Sequence, residues 1–279
     1  MPLPSDFVFS QHNLQDYLDC PRRFQLRHLE RMAWPAVQSE PILEQERHMQ
    51  LGEQFHRLVQ QHQIGLPVEI LEETADNDPD LQTWWQAYLR YPQTELPPLR
   101  KSEFTLMAQF AGFRLLAKYD LLAVKPGMQA VIVDWKTNRR RTPAARLRER
   151  VQTRLYPFLL ALAGAQLNGG MPWQPEQIKM IYWFTAEPDN PQVFPYSEKQ
   201  YRSDEKLLQA WIDAIRRSAD LPMLMTSDQE QQCPLCNYRS FCERGQRAGA
   251  WEDGDGDAVG DDNLPTIDFD FHQIEEIEF

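Results

Sequence analysis

The chain has 279 residues, of which 42% are hydrophobic and 11% aromatic, so it has enough apolar material for a full folded core. Its formal net charge is −12. No apolar run approaches the roughly 18–20 residues of a membrane-spanning helix, and residues 1–6 lack the basic start and apolar stretch of a signal peptide. We therefore expect a globular, cytoplasmic protein that does not contact membranes.

The acidic charge is concentrated at one end of the chain. Residues 251–279 contain eleven of the 41 acidic residues and no Lys or Arg, whereas residues 1–250 are close to neutral. This predicts one folded domain over residues 1–250, with an insert at 65–100, followed by an acidic disordered tail. Apolar residues alternate near the end of the tail. They leave docking on a partner protein, self-inhibition and a merely solubilising role open.

Helical periodicity dominates the first hundred residues. Ser10 is a suitable N-cap for a helix over residues 11–31, which Pro21 should kink or divide. A second helix is predicted over residues 42–63, and a short one over residues 81–89. The N-terminal part of the fold should therefore be helical.

The period then changes to the alternation that is typical of β-strands, with Gly112 at a predicted turn. The predicted elements are strands over residues 104–110, 115–124 and 130–135, a helix over 143–162, a strand over 177–185 and a helix over 198–218. Strands and helices in this order predict an α/β fold with a mixed sheet.

The triplet Asp134-Trp135-Lys136 ends an apolar strand. Residues i and i+2 of a strand point to the same side, so the Asp134 carboxylate and the Lys136 ammonium should face one site. The spacing alone is a weak signal, because the chain also contains Asp204-Glu205-Lys206 in a polar helical segment. We interpret this second triplet as a decoy whose substitution should leave activity unchanged.

Asp120 ends the preceding apolar strand, so a second carboxylate should lie beside the first. Carboxylate oxygens are the ligands that Mg²⁺ and Mn²⁺ prefer in proteins. Each acid alone is equally explained as a strand-end residue paired with a nearby base. The ordered set of acids and lysine favours a metal site.

Three further polar residues could belong to this site. His56 lies on the second predicted helix, and Gln152 and Tyr156, four residues apart, share one face of the helix over residues 143–162. Pro157 should bend this helix beside the site. From the residues alone, a surface histidine, a solvated amide and a packed tyrosine remain open alternatives.

The segment before and within that helix is basic. It contains a single acid, Glu149, among seven arginines: Arg139, Arg140, Arg141, Arg146, Arg148, Arg150 and Arg154. This composition predicts a phosphate-binding surface, although an ordinary solvated helix face accounts for the charges as well.

The four cysteines are Cys20, Cys233, Cys236 and Cys242. Their uneven spacing, in a chain without a recognisable secretion signal, favours a metal or cluster site over disulfides. Four thiolates can hold a [4Fe–4S] cluster or a Zn²⁺ ion. Unrelated buried thiols are the remaining alternative.

Taken together, the polar residues resemble the RecB-like branch of the PD-(D/E)XK nuclease superfamily, through His56, Asp120, Asp134-x-Lys136 and Gln152-x-x-x-Tyr156 in this order. The resemblance implies a restriction-endonuclease-like core, in which helices flank a mixed central sheet. It implies that His56, Asp120 and Asp134 bind a metal, together with the carbonyl of Trp135. Lys136 would position or activate the attacking water, and Gln152 and Tyr156 would orient the site and the DNA backbone. The family often has Gly shortly before its motif acid, whereas Ala117-Lys118-Tyr119 precede Asp120, which would alter how DNA approaches.

The cysteines carry a second resemblance. Ser10-x-x-x-Leu14-x-x-Tyr17-x-x-Cys20-Pro21-x-x-Phe24 at one end and Cys233-x2-Cys236-x5-Cys242 at the other are similar to the iron–sulfur nucleases, which include AddB-type subunits and CRISPR-adaptation nucleases. This implies a structural [4Fe–4S] cluster that clasps the two ends of the domain.

Both resemblances imply a Mg²⁺- or Mn²⁺-dependent deoxyribonuclease, namely an exonuclease on single-stranded or end-containing DNA in repair or recombination. Three alternatives stay open. They are a nuclease subunit recruited through its tail to a helicase or repair protein, a DNA-binding module that does not cleave, and a CRISPR-adaptation nuclease.

Overall fold

The computed structural model describes residues 3–33, 40–91, 95–224, 230, 232–234 and 236–244, with the side chains at 40–43 and 45 left out. The predicted tail, residues 251–279, lies outside the described residues. Within these ranges, no helix is both long and apolar enough to cross a membrane.

Helices form most of the N-terminal part, as expected, and recur between the strands. They are α1 (Gln11–Asp19), α2 (Pro21–Phe24), α3 (Glu40–Gln63), α4 (Val68–Ala75), α5 (Pro79–Arg90), α6 (Ala144–Glu149), α7 (Val151–Ala163) and α8 (Glu198–Ser218). A π-helical turn follows α2 at Gln25–Leu29, and 3₁₀ turns lie at Ala165–Asn168 and Pro175–Gln177.

The strands of the described chain form one six-stranded mixed sheet. They are β1 (Val8–Ser10), β2 (Leu99–Phe110), β3 (Phe113–Lys125), β4 (Gln129–Lys136), β5 (Ile178–Phe184) and β6 (Gln192–Pro195). The order is β1-β3-β4-β5-β6, with β2 paired to β3; the β1–β3 and β4–β5 pairs are parallel and the others antiparallel. The predicted mixed α/β architecture is confirmed.

Strand β3 is shared by three neighbours. β2 pairs with it over almost its whole length, from Phe113 to Val124. Because a strand has only two edges, β1 and β4 share the other one: β1 pairs with residues 114–116 and β4 with residues 121–125. The fork between β1 and β4 lies at residues 117–120, and Asp120 is the last residue before the β4 ladder begins.

Helices cover both faces of the sheet, each over its own apolar core. One core packs α7 and α8 against Tyr119, Leu122 and the neighbouring strands. The other packs α3 and α5 against Leu121 and the same strands. Tyr119 and Leu122 face the same core although one is odd-numbered and the other even-numbered, so the alternation of β3 shifts at Asp120. A regular strand would place Asp120 on one face only; the shift brings it within reach of helices from both.

The predicted break in the first helix is confirmed, and its cause is local. Ser10 caps α1 through its side chain, and the helix ends at Cys20, whose backbone is extended. The Cys20 sulfur accepts the Arg23 N–H at 3.4 Å, and Pro21 starts α2 at a position where no N–H is needed. Cys20 therefore lies in extended backbone between α1 and α2, and its side chain is buried.

Several boundaries differ from the prediction. The insert contains two helices, α4 and α5, not one short helix. The basic helix is divided at Arg150, which is extended and begins α7, and Pro157 lies inside α7 without interrupting it. The short strands β1 and β6 were missed, because three or four residues are too few for alternation to be visible.

Candidate active site

Four polar residues lie at one level across the sheet, where the ladder between β3 and β4 ends. Asp134 is paired with Tyr182 on β5. Extending the register of β3 against its two neighbours places Asp120 opposite Asp134 on one side and Glu103 of β2 on the other. Three acidic residues from three neighbouring strands therefore lie at the same level of the sheet.

Asp134 and Lys136 face the same site, as predicted from their spacing. The Lys136 Nζ lies 3.0 Å from Asp134 Oδ2 and donates to Gln152 Oε1 at 3.1 Å. Gln152, from the first turn of α7, donates its Nε2 to Asp134 Oδ1. The amide therefore bridges the acid and the lysine and holds both in one orientation.

One oxygen of Asp134, Oδ2, is buried beside a charge and has no hydrogen bond among the described residues. Asp134 is only 3% exposed, and the contact of this oxygen with Lys136 is an ion pair. A buried carboxylate oxygen without a hydrogen bond is costly unless a charge compensates it. The geometry thus fits a cation bound beside Asp134.

Asp120 occupies the fork of the sheet. Its Oδ2 accepts the backbone N–H of Trp135 at 2.9 Å and lies 3.5 Å from His56 Nδ1. Burial raises the pKa of Asp120 to about 7; the His56 ring opposes the rise, and the charge of Asp134 adds to it. A cation bound beside Asp120 would oppose this rise in its pKa and favour the charged carboxylate.

Glu103 is a site residue that the sequence analysis missed. One ligand atom each from His56, Glu103 and Asp120 lie within 4.8 Å of one another, a spacing that a metal ion could span. Glu103 has a φ of +52°, a left-handed conformation that costs a non-glycine residue free energy, and Lys118 Nζ lies 2.5 Å from its Oε2. The Gly112 hairpin register could have revealed it, because counting back from that turn places residue 103 opposite residue 120.

Helix α3 is docked so that His56 reaches Asp120. His48 Nε2 lies 2.8 Å from the carbonyl oxygen of Thr137, the residue after β4. One turn later, a Cβ added at Gly52 would come 2.9 Å from Thr137 Oγ1, so glycine permits the close approach. One further turn along the helix, His56 then faces the fork.

The predicted aromatic partner, Tyr156, is fully enclosed. It is 3% exposed, its backbone carbonyl accepts the Tyr119 hydroxyl at 3.0 Å, and burial raises the pKa of its phenol well above the usual value. Its phenol also interacts with Gln152. Tyr182, which was not predicted, donates to Gln152 Oε1 at 3.4 Å. Both tyrosines therefore act on the site through Gln152.

The side chain of Trp135 points away from the carboxylates. It is 1% exposed and packs in the core beneath α3 and α5, as the alternation of β4 requires. Only its backbone faces the site, and the N–H is already bonded to Asp120. The proposed ligand role of its carbonyl stays a prediction.

Comparison with known proteins identifies the family. The family model of the PD-(D/E)XK nuclease superfamily matches residues 8–243. The chain belongs to this superfamily. Its mixed sheet flanked by helices is the restriction-endonuclease-like fold that the sequence analysis expected. The finer assignment to the RecB-like branch stays a prediction.

Two solved structures were compared with the chain, and the first supports the fold. A protein of Eubacterium rectale, described as a candidate exonuclease, matches with a TM-score of 0.52 at 10% identity, over 84% of this chain and 87% of its own. The structure of SSO0001 matches with a TM-score of 0.41 at 13% identity, over 86% and 87%. No curated protein matches the sequence. At this identity the likeness concerns the fold alone.

The arginine segment of this PD-(D/E)XK protein is partly neutralised. Arg139 pairs with Glu44 at 2.7 Å and Arg141 with Glu187 at 3.3 Å. Arg154 pairs at 3.0 Å with Asp204, the acid of the decoy triplet. The described residues therefore do not form a uniformly basic phosphate-binding face. The contribution of the segment to DNA binding stays a prediction.

The acid of the second triplet has a structural role, and the expectation that its substitution leaves activity unchanged stays a prediction. Asp204 is 3% exposed and accepts hydrogen bonds from Arg154 and from the Tyr196 hydroxyl, the latter at 3.1 Å. Its lysine, Lys206, is exposed. A helix separates residues i and i+2 onto different faces, so this triplet cannot form a site.

The four cysteines come from both ends of the domain and approach one another. Cys236 and Cys242 pack with Leu26 of the π-helical turn. Burial raises the pKa of the Cys233, Cys236 and Cys242 thiols, and the nearby Cys20 raises each further. Among the described residues, no three thiol sulfurs lie within 4.8 Å of one another.

Proposed function

We propose that this PD-(D/E)XK protein is a Mg²⁺- or Mn²⁺-dependent deoxyribonuclease, an exonuclease that acts on single-stranded or end-containing DNA in repair or recombination. The observation that carries the proposal is the arrangement of Asp134, Lys136 and Gln152 beside the carboxylate of Asp120. Family membership supports the hydrolysis of phosphodiester bonds. The metal, the DNA substrate and the exonuclease action rest on the residue resemblance.

The donor set fits a hard divalent cation. His56, Glu103 and Asp120 would supply one ligand atom each. Asp134 would offer its Oδ2, which faces Lys136 Nζ at 3.0 Å, and the Trp135 carbonyl would be a further donor. Oxygen-rich sites of this kind suit Mg²⁺ and Mn²⁺. Such a cation lowers the pKa of a bound water and offsets the charge that grows on the phosphate.

The surrounding residues prepare the site for that chemistry. Lys136 holds a positive charge beside Asp134, where it would attract a phosphate oxygen or orient a water. Gln152 fixes the ammonium and the carboxylate relative to each other. Tyr182 and Tyr156 both interact with the Gln152 side chain and restrain it. Of these residues, Lys136 is the one that would act directly on the phosphate or the water, whereas Gln152 and the tyrosines are positioning residues.

The spacing of the described thiols is wider than a single zinc ion requires. A tetrahedral zinc site with Zn–S bonds of 2.3 Å needs sulfurs about 3.8 Å apart, closer than any three thiols here. A [4Fe–4S] cluster holds its thiolates farther apart, because each binds a different iron. We propose that Cys20, Cys233, Cys236 and Cys242 hold a structural [4Fe–4S] cluster, with Zn²⁺ as the alternative that metal analysis would reveal.

The decisive activity assay compares linear and circular single-stranded DNA of the same sequence, with Mg²⁺, Mn²⁺ or EDTA. We expect cleavage of the linear DNA only, and none in EDTA. Cleavage of the circle would replace exonuclease by endonuclease action. Full activity in EDTA would remove the metal-dependent proposal, and binding without cleavage under every condition would leave a DNA-binding module.

Glu103 provides a sharper test of the metal site. Glu103→Gln keeps the size of the side chain and removes its charge, so Mn²⁺ binding measured by calorimetry should weaken by about 10–100-fold. Glu53→Gln is the matched control, because Glu53 is an exposed acid on α3, three residues before His56. Equal affinities of the two variants would exclude Glu103 from the ligand set.

The eleven carboxylates of the acidic tail would repel DNA, so the substrate is not the expected partner of the tail. We propose that the tail instead recruits a helicase or another repair protein. Deleting residues 251–279 separates the possible roles. Loss of a partner in pull-downs with unchanged activity supports recruitment. A rise in DNA affinity at low salt, fading as salt is added, would instead indicate self-inhibition.

A further inference from the structure

The four cysteines adjoin a buried group of charges that the catalytic site does not use. Arg23 is 3% exposed, with its Nε 2.9 Å from Asp16 Oδ1 and its Nη2 2.8 Å from Asp19 Oδ2. Asp16 is 5% exposed, and its Oδ2 also lies 2.8 Å from both Arg27 Nη1 and His28 Nε2. Buried ion pairs cost desolvation energy and contribute little net stability, so they are weak stabilisers of two short helices.

This charge group faces the C-terminal cysteine segment. Leu26, three residues after Arg23, packs against Cys236 and Tyr238. The Tyr238 hydroxyl donates to the Met32 carbonyl at 2.9 Å, and the Arg22 guanidinium lies 5.9 Å from the centre of the Phe241 ring. The N-terminal helical turns therefore form the surface against which Cys236 and Cys242 pack.

The arginines of that surface lie near the thiols of the other end. Arg23 donates its backbone N–H to Cys20 Sγ, and its guanidinium is within electrostatic range of Cys236. Arg27 is also within range of Cys236, and Arg22 within range of Cys242. Four thiolates around a metal centre carry excess negative charge, which cannot be buried without a nearby cation. Arg23 is the most enclosed cation of this surface.

We propose that Arg23 is the buried counter-charge of the four-cysteine metal centre, aimed by Asp16 and Asp19, and that it determines how firmly the metal is retained. The proposal rests on the metal centre proposed above. It assigns Arg23 a positioning role toward the cysteines, distinct from its contribution to the fold.

Two variants separate these roles. Asp16→Asn removes one of the two anions that pair with Arg23, and Asp16→Asn with Arg23→Met removes the same ion pair together with the cation. Both lose the buried pair and should lower the melting temperature. Their effects on metal should differ, because only the first keeps the positive charge beside Cys236. The measurement is iron release to a chelator, followed by visible absorbance well below the melting temperature.

We expect Asp16→Asn to release iron no faster than the wild type, and the double variant to release it about 10–100-fold faster. Asp204→Asn with Arg154→Met is the matched control, since it removes a buried pair on α7 and α8 and should leave the release rate unchanged. Equal release from the two Asp16 variants, or acceleration in the control as well, would overturn the proposal.

If the double variant does not fold, Arg27→Gln decides. The Arg27 side chain is 23% exposed, so Arg27→Gln should also accelerate iron release, but by a smaller factor. Arg47→Gln, at an exposed arginine on α3, should leave the release rate unchanged. Equal rates in these two would also overturn the role of the charge. A wild-type protein without iron or zinc would reject the metal centre itself, whereas a double variant that releases iron as slowly as Asp16→Asn would reject only the assignment of Arg23.

Discussion

Two acid-x-lysine triplets in this chain have opposite structural roles. Asp134 and Asp204 are both 3% exposed, and both are contacted by side chains of α7, two residues apart on that helix. In the strand triplet the lysine stays beside the acid, and Gln152 joins them. In the helix triplet the lysine is exposed, and Arg154 pairs with the acid instead.

The difference lies in what surrounds each carboxylate, since their burial is the same. Asp204 has a guanidinium and a phenol as partners, so its charge is compensated. Asp134 shares its surroundings with Asp120 and, one strand farther, Glu103. Lys136 lies 3.0 Å from Asp134 and Lys118 lies 2.5 Å from Glu103, whereas Asp120 faces the His56 ring at 3.5 Å, so three carboxylates share two ammonium groups. An excess of buried negative charge is destabilising, and a cation is the simplest group that relieves it.

Breaking the strand triplet should have the largest effect on activity. Asp134→Asn and Lys136→Ala should each lower the cleavage rate by about 10³-fold or more, because each removes a charge that acts on the reacting phosphate. Lys206→Ala, the exposed lysine of the other triplet, should cleave at the wild-type rate. Near-normal activity of Lys136→Ala would move the catalytic site elsewhere. Circular dichroism and melting temperatures should show that all three variants fold.

Breaking the helix triplet should reverse this pattern. Asp204→Ala leaves the Arg154 guanidinium and the Tyr196 hydroxyl without their shared partner. We expect a loss of about 2–4 kcal/mol in the free energy of unfolding, measured by urea titration, with the activity per folded molecule unchanged. A catalytic defect in the folded fraction would show that α7 transmits the change to Gln152.

Asp120→Asn should stabilise the metal-free protein while abolishing cleavage. Because burial raises the pKa of Asp120 to about 7 from 3.8, the folded state keeps a proton that the unfolded chain has lost. The stability contributed by this group is therefore present at acid pH and lost as the pH rises through about 7. Asparagine removes the charge but can still accept the Trp135 N–H. We expect a gain of about 1–3 kcal/mol at pH 8 in EDTA, and little gain at pH 4.

The opposite outcome for Asp120→Asn is equally informative. A loss of stability at pH 8 without metal would mean that the carboxylate is already compensated inside the fold. The comparison between compensated and uncompensated acids would then fail, because Asp120 would belong with Asp204.

The smallest expected effect concerns the approach of α3. Gly52→Ala places a Cβ against Thr137 Oγ1 and should move His56 by a few tenths of an ångström, weakening Mn²⁺ binding by less than about tenfold. Thr137→Ala in the same chain removes the clash, so the double variant should bind like Thr137→Ala alone. Additive losses in this double-mutant cycle would show that Gly52 acts in some other way.

Much of the site was accessible from local pattern. The alternation of β4 predicted that Asp134 and Lys136 share a side, and the change of period at residue 104 predicted the sheet. Glu103 was missed because it gains its position from the register of the β2–β3 hairpin and from a left-handed backbone inside a strand. The structural role of Asp204 was missed, because the helical pattern of α8 does not reveal that Arg154 reaches it from another helix.

By itself the sequence determined the order of the longer helices and strands, the break at Cys20 and Pro21, and the two residues of the strand triplet, because these depend on neighbours a few positions apart. Only the tertiary structure decided which acids are compensated. The fork of β3 places Asp120 within reach of both helical layers, and the packing of α7 gives one triplet an amide and the other a guanidinium. Electrostatic compensation is set by distances between segments far apart in the chain, and no local pattern records them.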